Sequence, residues 1–253
     1  MPGIGSLEAL QRAVSEFRTA DIELSIDSTA QAAARRSLDE SGLLLLGETP
    51  GVRENPLLAR ALMTSFGITG LALEWPTELA PAISDFLAGG RLPDHDLLWS
   101  GEGRITAGHL AVLQERIRAD RLQALTLFDG VSDVGWSRRE AAMADRILAA
   151  RSPESGTLVV AGDAHTPTTP TTLGMPLGAR LAEKRRGVRE IRIRYGGGDY
   201  YNLRTHDFKK RFGFRKQVRL HVEQGQLILD LPAATEAVVP HRVVVAGPAG
   251  AVW

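Results

Sequence analysis

The chain alternates short, uninterrupted apolar runs with longer stretches in which apolar residues recur every three to four positions. Leu7 to Phe17 and Thr29 to Ser41 carry that helical period, and Ser6 stands where a hydroxyl would cap the first of them. From Leu43 onward the pattern is regular. The run Leu43 to Leu46 precedes a helical stretch from Pro56 to Phe66; GITGLALEW then reads as a strand and PTELAPAISDFLAGG as a helix with a glycine stop. After a loop rich in Asp, Gly and Pro, ITAGHLAVLQERIRAD reads as a helix, LQALTLFDG as a strand, SRREAAMADRILAAR as a helix and GTLVVAGDAH as a strand. Strands that are apolar throughout are buried on both faces, so the pattern predicts an α/β fold: a mainly parallel central sheet with helices on both faces.

The last third changes character. REIRIRY predicts one more strand, YGGGDYY a tight turn, and RKQVRLHVEQGQLILDL a C-terminal β-hairpin around Gln224 and Gly225. We therefore expect residues 1–253 to form a single α/β domain, with N-terminal helices in 1–42 and a C-terminal β-rich extension of the same domain in 190–253.

Composition narrows the partners. With 43% hydrophobic and 24% charged residues, 253 positions are enough to bury a large core. Thirty basic side chains balance thirty acidic ones, so no global field draws the chain to nucleic acid or to a membrane surface, and a small-molecule substrate is expected instead. The absence of cysteine removes disulfides, thiolate metal sites and a cysteine nucleophile. The N-terminus is too polar for a signal peptide and no apolar run reaches about 18 residues, which leads to the expectation of a cytoplasmic protein. Only four of the thirty basic residues are lysine; arginine dominance beside abundant Ala and Gly is the codon pattern of a GC-rich bacterial genome.

Candidate chemistry collects where strands end. In an open parallel sheet, ligands bind outside the carboxyl ends of the strands. Glu48 follows LLLLG, Glu74 ends GLALE, Asp129 ends LTLFD, and Asp163 with His165 follows TLVVAG. A strand-end acid also commonly caps the next helix, and Asp129, followed by Gly130 and Ser132, suits either role. Glu74 precedes Trp75-Pro76, where proline already fixes a helix start, so a site role fits better. His165 can act as acid, base or ligand near neutral pH. Further candidates to contact a substrate are Arg53 and Glu54 beyond the Glu48 turn, His109 on the helix after Gly108, and Tyr195 at the glycine-rich turn. His95, His206, His221 and His241 have polar or strand contexts and no evident partner. YGGGDYYN lacks the lysine and helix of a phosphate loop.

The stretch LLLLGETPGVRENPLLARALMTSFGITGLALEWP, followed by VVAGDAHT, resembles the superfamily that contains erythromycin esterase, the ChaN-like haem-uptake lipoproteins and the TIKI-type metalloproteases. The resemblance covers roughly residues 43 to 180 and rests on a short Gly-Glu motif and a distant Gly-x-x-His. It implies an α/β fold with a polar site at the strand ends, formed by Glu48, Glu74 and His165. Members carry a histidine shortly after the first glutamate; here that place is Pro50, which has no proton to transfer and no lone pair for a metal.

These residues lead to an expectation of an esterase-like hydrolase acting on a small organic substrate, with His165 as acid/base and Glu48 and Glu74 orienting water or substrate. A cyclase or lyase of natural-product biosynthesis is the alternative, as is a ligand-binding protein that has lost hydrolysis. No cofactor is required for the first; a divalent metal on Glu48, Glu74 and His165, or haem on His165 or a tyrosine, are the cofactor alternatives.

Overall fold

Continuous apolar strands and amphipathic helices assemble, in the computed structural model, around one eight-stranded sheet. The structure describes residues 3–19, 22–92, 94–130, 135–150, 153–210 and 217–242; Ser132 and, in the expected C-terminal extension, residues 211–216 and 243–253 lie outside these. In chain order the elements are β1 (Gly3–Ile4), α1 (Leu7–Glu16), β2 (Leu24–Ile26), α2 (Ser28–Ser41), β3 (Leu43–Glu48), α3 (Asn55–Phe66), β4 (Gly70–Pro76), α4 (Ala80–Leu87), α5 (Ala107–Arg118), β5 (Ala124–Asp129), α6 (Trp136–Ala149), β6 (Thr157–Gly162), α7 (Leu177–Lys184), β7 (Glu190–Tyr195), β8 (Gly198–Asn202), β9 (Arg204–Phe208), β10 (Val218–Glu223), β11 (Gln226–Leu231) and β12 (Val239–Pro240).

The sheet runs β2-β10-β11-β7-β3-β6-β4-β5, and only the β10/β11 pair is antiparallel. Apolar residues alternate sides along each central strand. Leu44, Leu46, Leu71, Leu73, Leu158 and Val160 pack toward α1 to α5, whereas Leu43, Leu45, Ala72, Val159 and Ala161 pack toward α6 and α7. Each fully buried leucine side chain contributes about 1.5–3 kcal/mol relative to exposure, which is why β3 could not tolerate the alternating polar pattern of a one-faced sheet.

Local chemistry sets the ends. Ser6 Oγ accepts from the Ala9 amide and caps α1, as its position predicts. Gly42 and Gly67 close α2 and α3 in the left-handed region. Gln224 and Gly225 both take positive φ, the two-residue turn that matches the strand twist, and they join β10 to β11 where the hairpin is expected.

Two findings go beyond the sequence pattern. Between the N-terminal helices lies β2, an edge strand on β10, so the segment 1–42 is not helical throughout. The YGGGDYY segment is more than a turn: its Gly198 opens β8, which pairs with β9 in a second hairpin. A Cβ at Gly198 would overlap the Ala234 carbonyl, so glycine is needed for close approach as well as for its φ of +97°. Among the described residues no helix is long and apolar enough to cross a membrane.

Candidate active site

The strand order brings the candidate acids together. β6, formed late in the chain, inserts between β3 and β4, so the carboxyl ends of β3, β6, β4 and β5 lie side by side where the direction of winding reverses. Glu48 is in register with Gly162. On the next strand the β4/β5 register shifts between Leu73 and Pro76, and this irregularity carries Glu74. Trp75 follows it into the core and donates Nε1–H to the Arg104 carbonyl at 2.9 Å, which anchors the loop before α5.

Four carboxylates are buried in or around this edge: Glu48, Glu74, Asp129 and, from α6, Glu140. Unpaired, each would be costly. Three cationic or imidazole side chains share them out. Arg139, also from α6, donates Nη2–H to Glu74 Oε1 at 2.9 Å and to Asp129 Oδ2 at 2.8 Å, with Nε–H on Asp129 Oδ1 at 3.0 Å. Arg104 reaches Glu74 Oε1 at 3.4 Å and Asp129 Oδ2 at 2.5 Å, and its other nitrogens bind Glu102. Burial alone would raise the Asp129 carboxyl, but Arg139 and then Arg104 hold it below the ordinary value. The other Glu74 oxygen accepts from the Gly162 amide at 2.8 Å, tying β4 to the end of β6.

His165 follows β6 and is held on three sides. Its Nδ1 meets Glu140 Oε1 at 2.7 Å, its Nε2 lies 3.3 Å from Glu74 Oε1, and its ring stacks on Trp136 with centroids 4.8 Å apart. Burial disfavours the imidazolium, yet the hydrogen bond to Glu140 and the charge of Glu74 outweigh it and raise the pKa above the ordinary 6.5. Glu140 is fully buried, and its second oxygen accepts from the Leu177 amide at 2.7 Å, the first residue of α7. One carboxylate thus orients the imidazole and caps a helix. In Glu140→Gln the imidazole loses the partner that favours its charged form. We expect the pH profile of activity to move to lower pH, with a stability loss of about 1–3 kcal/mol for the disturbed buried hydrogen bonds, both measurable on one preparation.

Glu48 is left out of this sharing. Its Oε2 is buried and has no hydrogen-bond partner among the described residues. Burial, and then the nearby charge of Glu74, push its pKa up to about 8, so at neutral pH it is a carboxylic acid rather than a carboxylate. Tyr195 supports the same turn: its hydroxyl accepts from the Thr49 amide at 2.9 Å and donates to Asn55 Oδ1 at 3.0 Å. Gly51 completes it, because a side chain there would overlap the Tyr201 backbone where β8 crosses.

In front of Glu74 lies a cleft of about 680 Å³, walled by Glu74, Asp129, Arg104 and Arg139, with Pro50 and the hairpin tip Leu203 on its sides. His165, 8% exposed, reaches it through Glu74. The other expected contacts fall elsewhere. Arg53 lies over the Phe17 ring at 5.2 Å, and Glu54 accepts from the Thr235 amide and hydroxyl at 2.9 and 2.7 Å, joining two loops. His109 is buried behind Trp75, with Nδ1 2.9 Å from the Thr106 hydroxyl, and burial lowers its pKa to about 4. Asp163 is exposed and, like Tyr195, lines a neighbouring cavity. Arg104, Arg139, Glu140 and Trp136 were not candidates from sequence.

The donors do not suit the cofactor alternatives. Guanidinium groups occupy Glu74 and Asp129, and among the described residues no group of three or more His, Asp or Glu side chains is arranged to hold a metal. For haem, both nitrogens of His165 face carboxylates and the Tyr195 hydroxyl is engaged twice.

No family model matches the sequence, and no curated protein matches it significantly. Among solved structures, the C-terminal region of Pasteurella multocida toxin, described as holding a thiol-protease-like catalytic triad, aligns with a TM-score of 0.45 at 13% identity, over 86% of this chain and 32% of that one. A succinoglycan biosynthesis protein aligns with a TM-score of 0.57 at 10% identity, over 80% of this chain and 90% of that one, and the two therefore share a fold.

Proposed function

We propose that the chain is an erythromycin-esterase-like hydrolase that acts on a small organic substrate in the bacterial cytoplasm. The observation that carries this reading is the buried Glu140–His165 pair, whose second nitrogen, Nε2, lies 3.3 Å from Glu74 Oε1 and 3.5 Å from Arg139 Nη1, behind a cleft lined by Glu74 and two guanidinium groups. A carboxylate that fixes one imidazole nitrogen leaves the other for proton transfer. Water in the cleft meets Glu74 first, and the Glu74–His165 contact passes its proton to neutral His165 as the oxygen adds to the ester carbonyl. The developing oxyanion faces Arg104 and Arg139, cations already held in place. When the intermediate collapses, the acyl C–O bond breaks and the imidazolium returns the proton through Glu74 to the leaving alkoxide. Because the Glu140 hydrogen bond and the charge of Glu74 raise the His165 pKa above the ordinary imidazole value, the rise of turnover with pH is expected to lie at higher pH than a free imidazole would give.

A second reading, a cyclase or lyase in natural-product biosynthesis, draws on Pro50. This residue lines the cleft at the place of the family histidine, and a site without that base relies more on positioning than on water activation. A panel of aryl and alkyl esters assayed with the wild-type protein and with Pro50→His separates the two. Wild-type ester hydrolysis that His165→Ala removes supports the hydrolase. Hydrolysis only in Pro50→His favours the second reading, and hydrolysis in neither counts against the first.

A further inference from the structure

One face of α6 holds His165. Trp136, Arg139 and Glu140 stand at i, i+3 and i+4, so they project from the same side of the helix. Glu140 Oε1 takes Nδ1 at 2.7 Å, Arg139 Nη1 lies 3.5 Å from Nε2, and Trp136 covers the ring, with centroids 4.8 Å apart and 20° between the planes. Glu140 orients the imidazole and Arg139 neutralises two carboxylates of the cleft. Trp136 has neither task, and it is not among the residues that line the cleft.

Its polar atom does not explain its place. A buried indole N–H ordinarily finds an acceptor, yet Trp136 Nε1 is buried with no hydrogen-bond partner among the described residues. What the ring does offer is its face. That face carries the negative part of the aromatic quadrupole, so a cation lying over it is attracted, and more strongly where water is excluded. A neutral imidazole gains less. Burial and Arg139 oppose the charged form of His165, Glu140 and Glu74 favour it, and the indole face adds to the second group. Among the described residues, Asp129 on β5 and Arg104 touch Arg139 and Glu74 rather than the imidazole, and α7 brings only the Gly178 amide, to the His165 carbonyl at 2.9 Å.

We propose that Trp136 is a positioning residue for His165: its indole face holds the imidazole ring against Glu140 and Glu74 and stabilises the imidazolium that forms when a proton arrives. The inference rests on the proposed hydrolysis for its kinetic consequence alone, because the stack can be measured with no substrate present.

An imidazolium in contact with an indole quenches its emission more than a neutral imidazole does. Tryptophan fluorescence of the full chain, titrated with pH, is therefore expected to show a transition that is lost in both His165→Asn and Trp136→Phe. His109, beside Trp75, does not overlap it, since burial lowers its pKa to about 4. In ester hydrolysis, Trp136→Leu is expected to move the rise of turnover about one pH unit lower, the loss of a desolvated cation–π contact. The plateau kcat should fall about tenfold with KM unchanged, through lost orientation of the imidazole. Trp136→Phe keeps an aromatic face and should recover most of both effects, whereas a residue that merely filled space would lower stability without moving the pH profile. Absence of a fluorescence transition that depends on both side chains, or identical pH profiles in the wild type and Trp136→Leu, would overturn the proposal. If no ester is turned over, the hydrolase reading fails and the fluorescence titration, which does not need Trp136→Leu to fold, decides the stack by itself.

Discussion

Replacing His165 by alanine is expected to lower kcat/KM for any ester the protein hydrolyses by about 10² to 10⁴, the usual contribution of a positioned acid/base. The effect should be chemical rather than structural. The side chain is largely buried but lies at a loop after β6, and its removal leaves Glu74 with both arginines and with the Gly162 amide. Glu140 loses its imidazole yet keeps the Leu177 amide. Stability measured by denaturant unfolding should therefore drop by no more than a few kcal/mol, as for loss of one partner of a buried charged pair. His165→Asn is the companion variant: it restores a hydrogen-bonding group toward Glu140 without a titratable proton, so it should recover stability and leave activity low. Normal turnover in both variants would remove His165 from the chemistry.

The second large effect concerns Glu48, and it appears in stability rather than rate. In the unfolded chain this carboxyl titrates near 4.5, whereas in the fold burial and Glu74 lift it to about 8. The native state holds the proton more tightly. The resulting stabilisation is complete below about pH 4.5, is lost steadily as pH rises toward 8, and changes no further above that. Each pH unit inside the window corresponds to at most about 1.4 kcal/mol, so the full excursion is on the order of a few kcal/mol. Glu48→Gln replaces the neutral acid by a neutral amide of nearly the same shape. Its unfolding free energy should be flatter between pH 5 and 8 than that of the wild type, with the variant more stable at the upper end, and this can be read from urea titrations at several pH values. His165 contributes in the same sense, since its pKa is also raised, but it remains in both proteins and cancels in the comparison. Parallel curves for wild type and variant would mean that Glu48 is ionised at neutral pH. Retaining such a group at a stability cost above neutrality is the kind of compromise expected at a functional position.

Much of the site was legible because its acids close apolar runs. Glu48, Glu74 and Asp129 are each the polar residue at or next to the end of a strand of the main sheet, and the carboxyl ends of parallel strands form a shared edge. Glu140 left a weaker trace. It falls in the same helical stripe as the buried Met143, Ala144 and Ile147, and a carboxylate in an apolar stripe demands a partner. Arg139 is the flanking residue, and Arg104 sits in a loop whose sequence has no period to read. The three residues of β2 are too few to show alternation, and the polar arms of β8 and β9 bury too little to impose it. Arg53 and Glu54 were drawn into the candidate set by closeness in sequence to Glu48, but the turn at Gly51 sends them toward Phe17 and Thr235.

By itself the sequence determined helices α1 to α6 and strands β3 to β7, β10 and β11, that the sheet is covered on both faces, and which acids stand at its carboxyl edge, because burial and backbone period are local quantities written every two or every 3.6 residues. Only the tertiary structure decided that β6 lies between β3 and β4, that two arginines from a loop and a helix neutralise Glu74 and Asp129, and that Glu48 is left protonated. Those outcomes depend on which strands become neighbours and on the distances between charges far apart in the chain, and no run of consecutive residues encodes either.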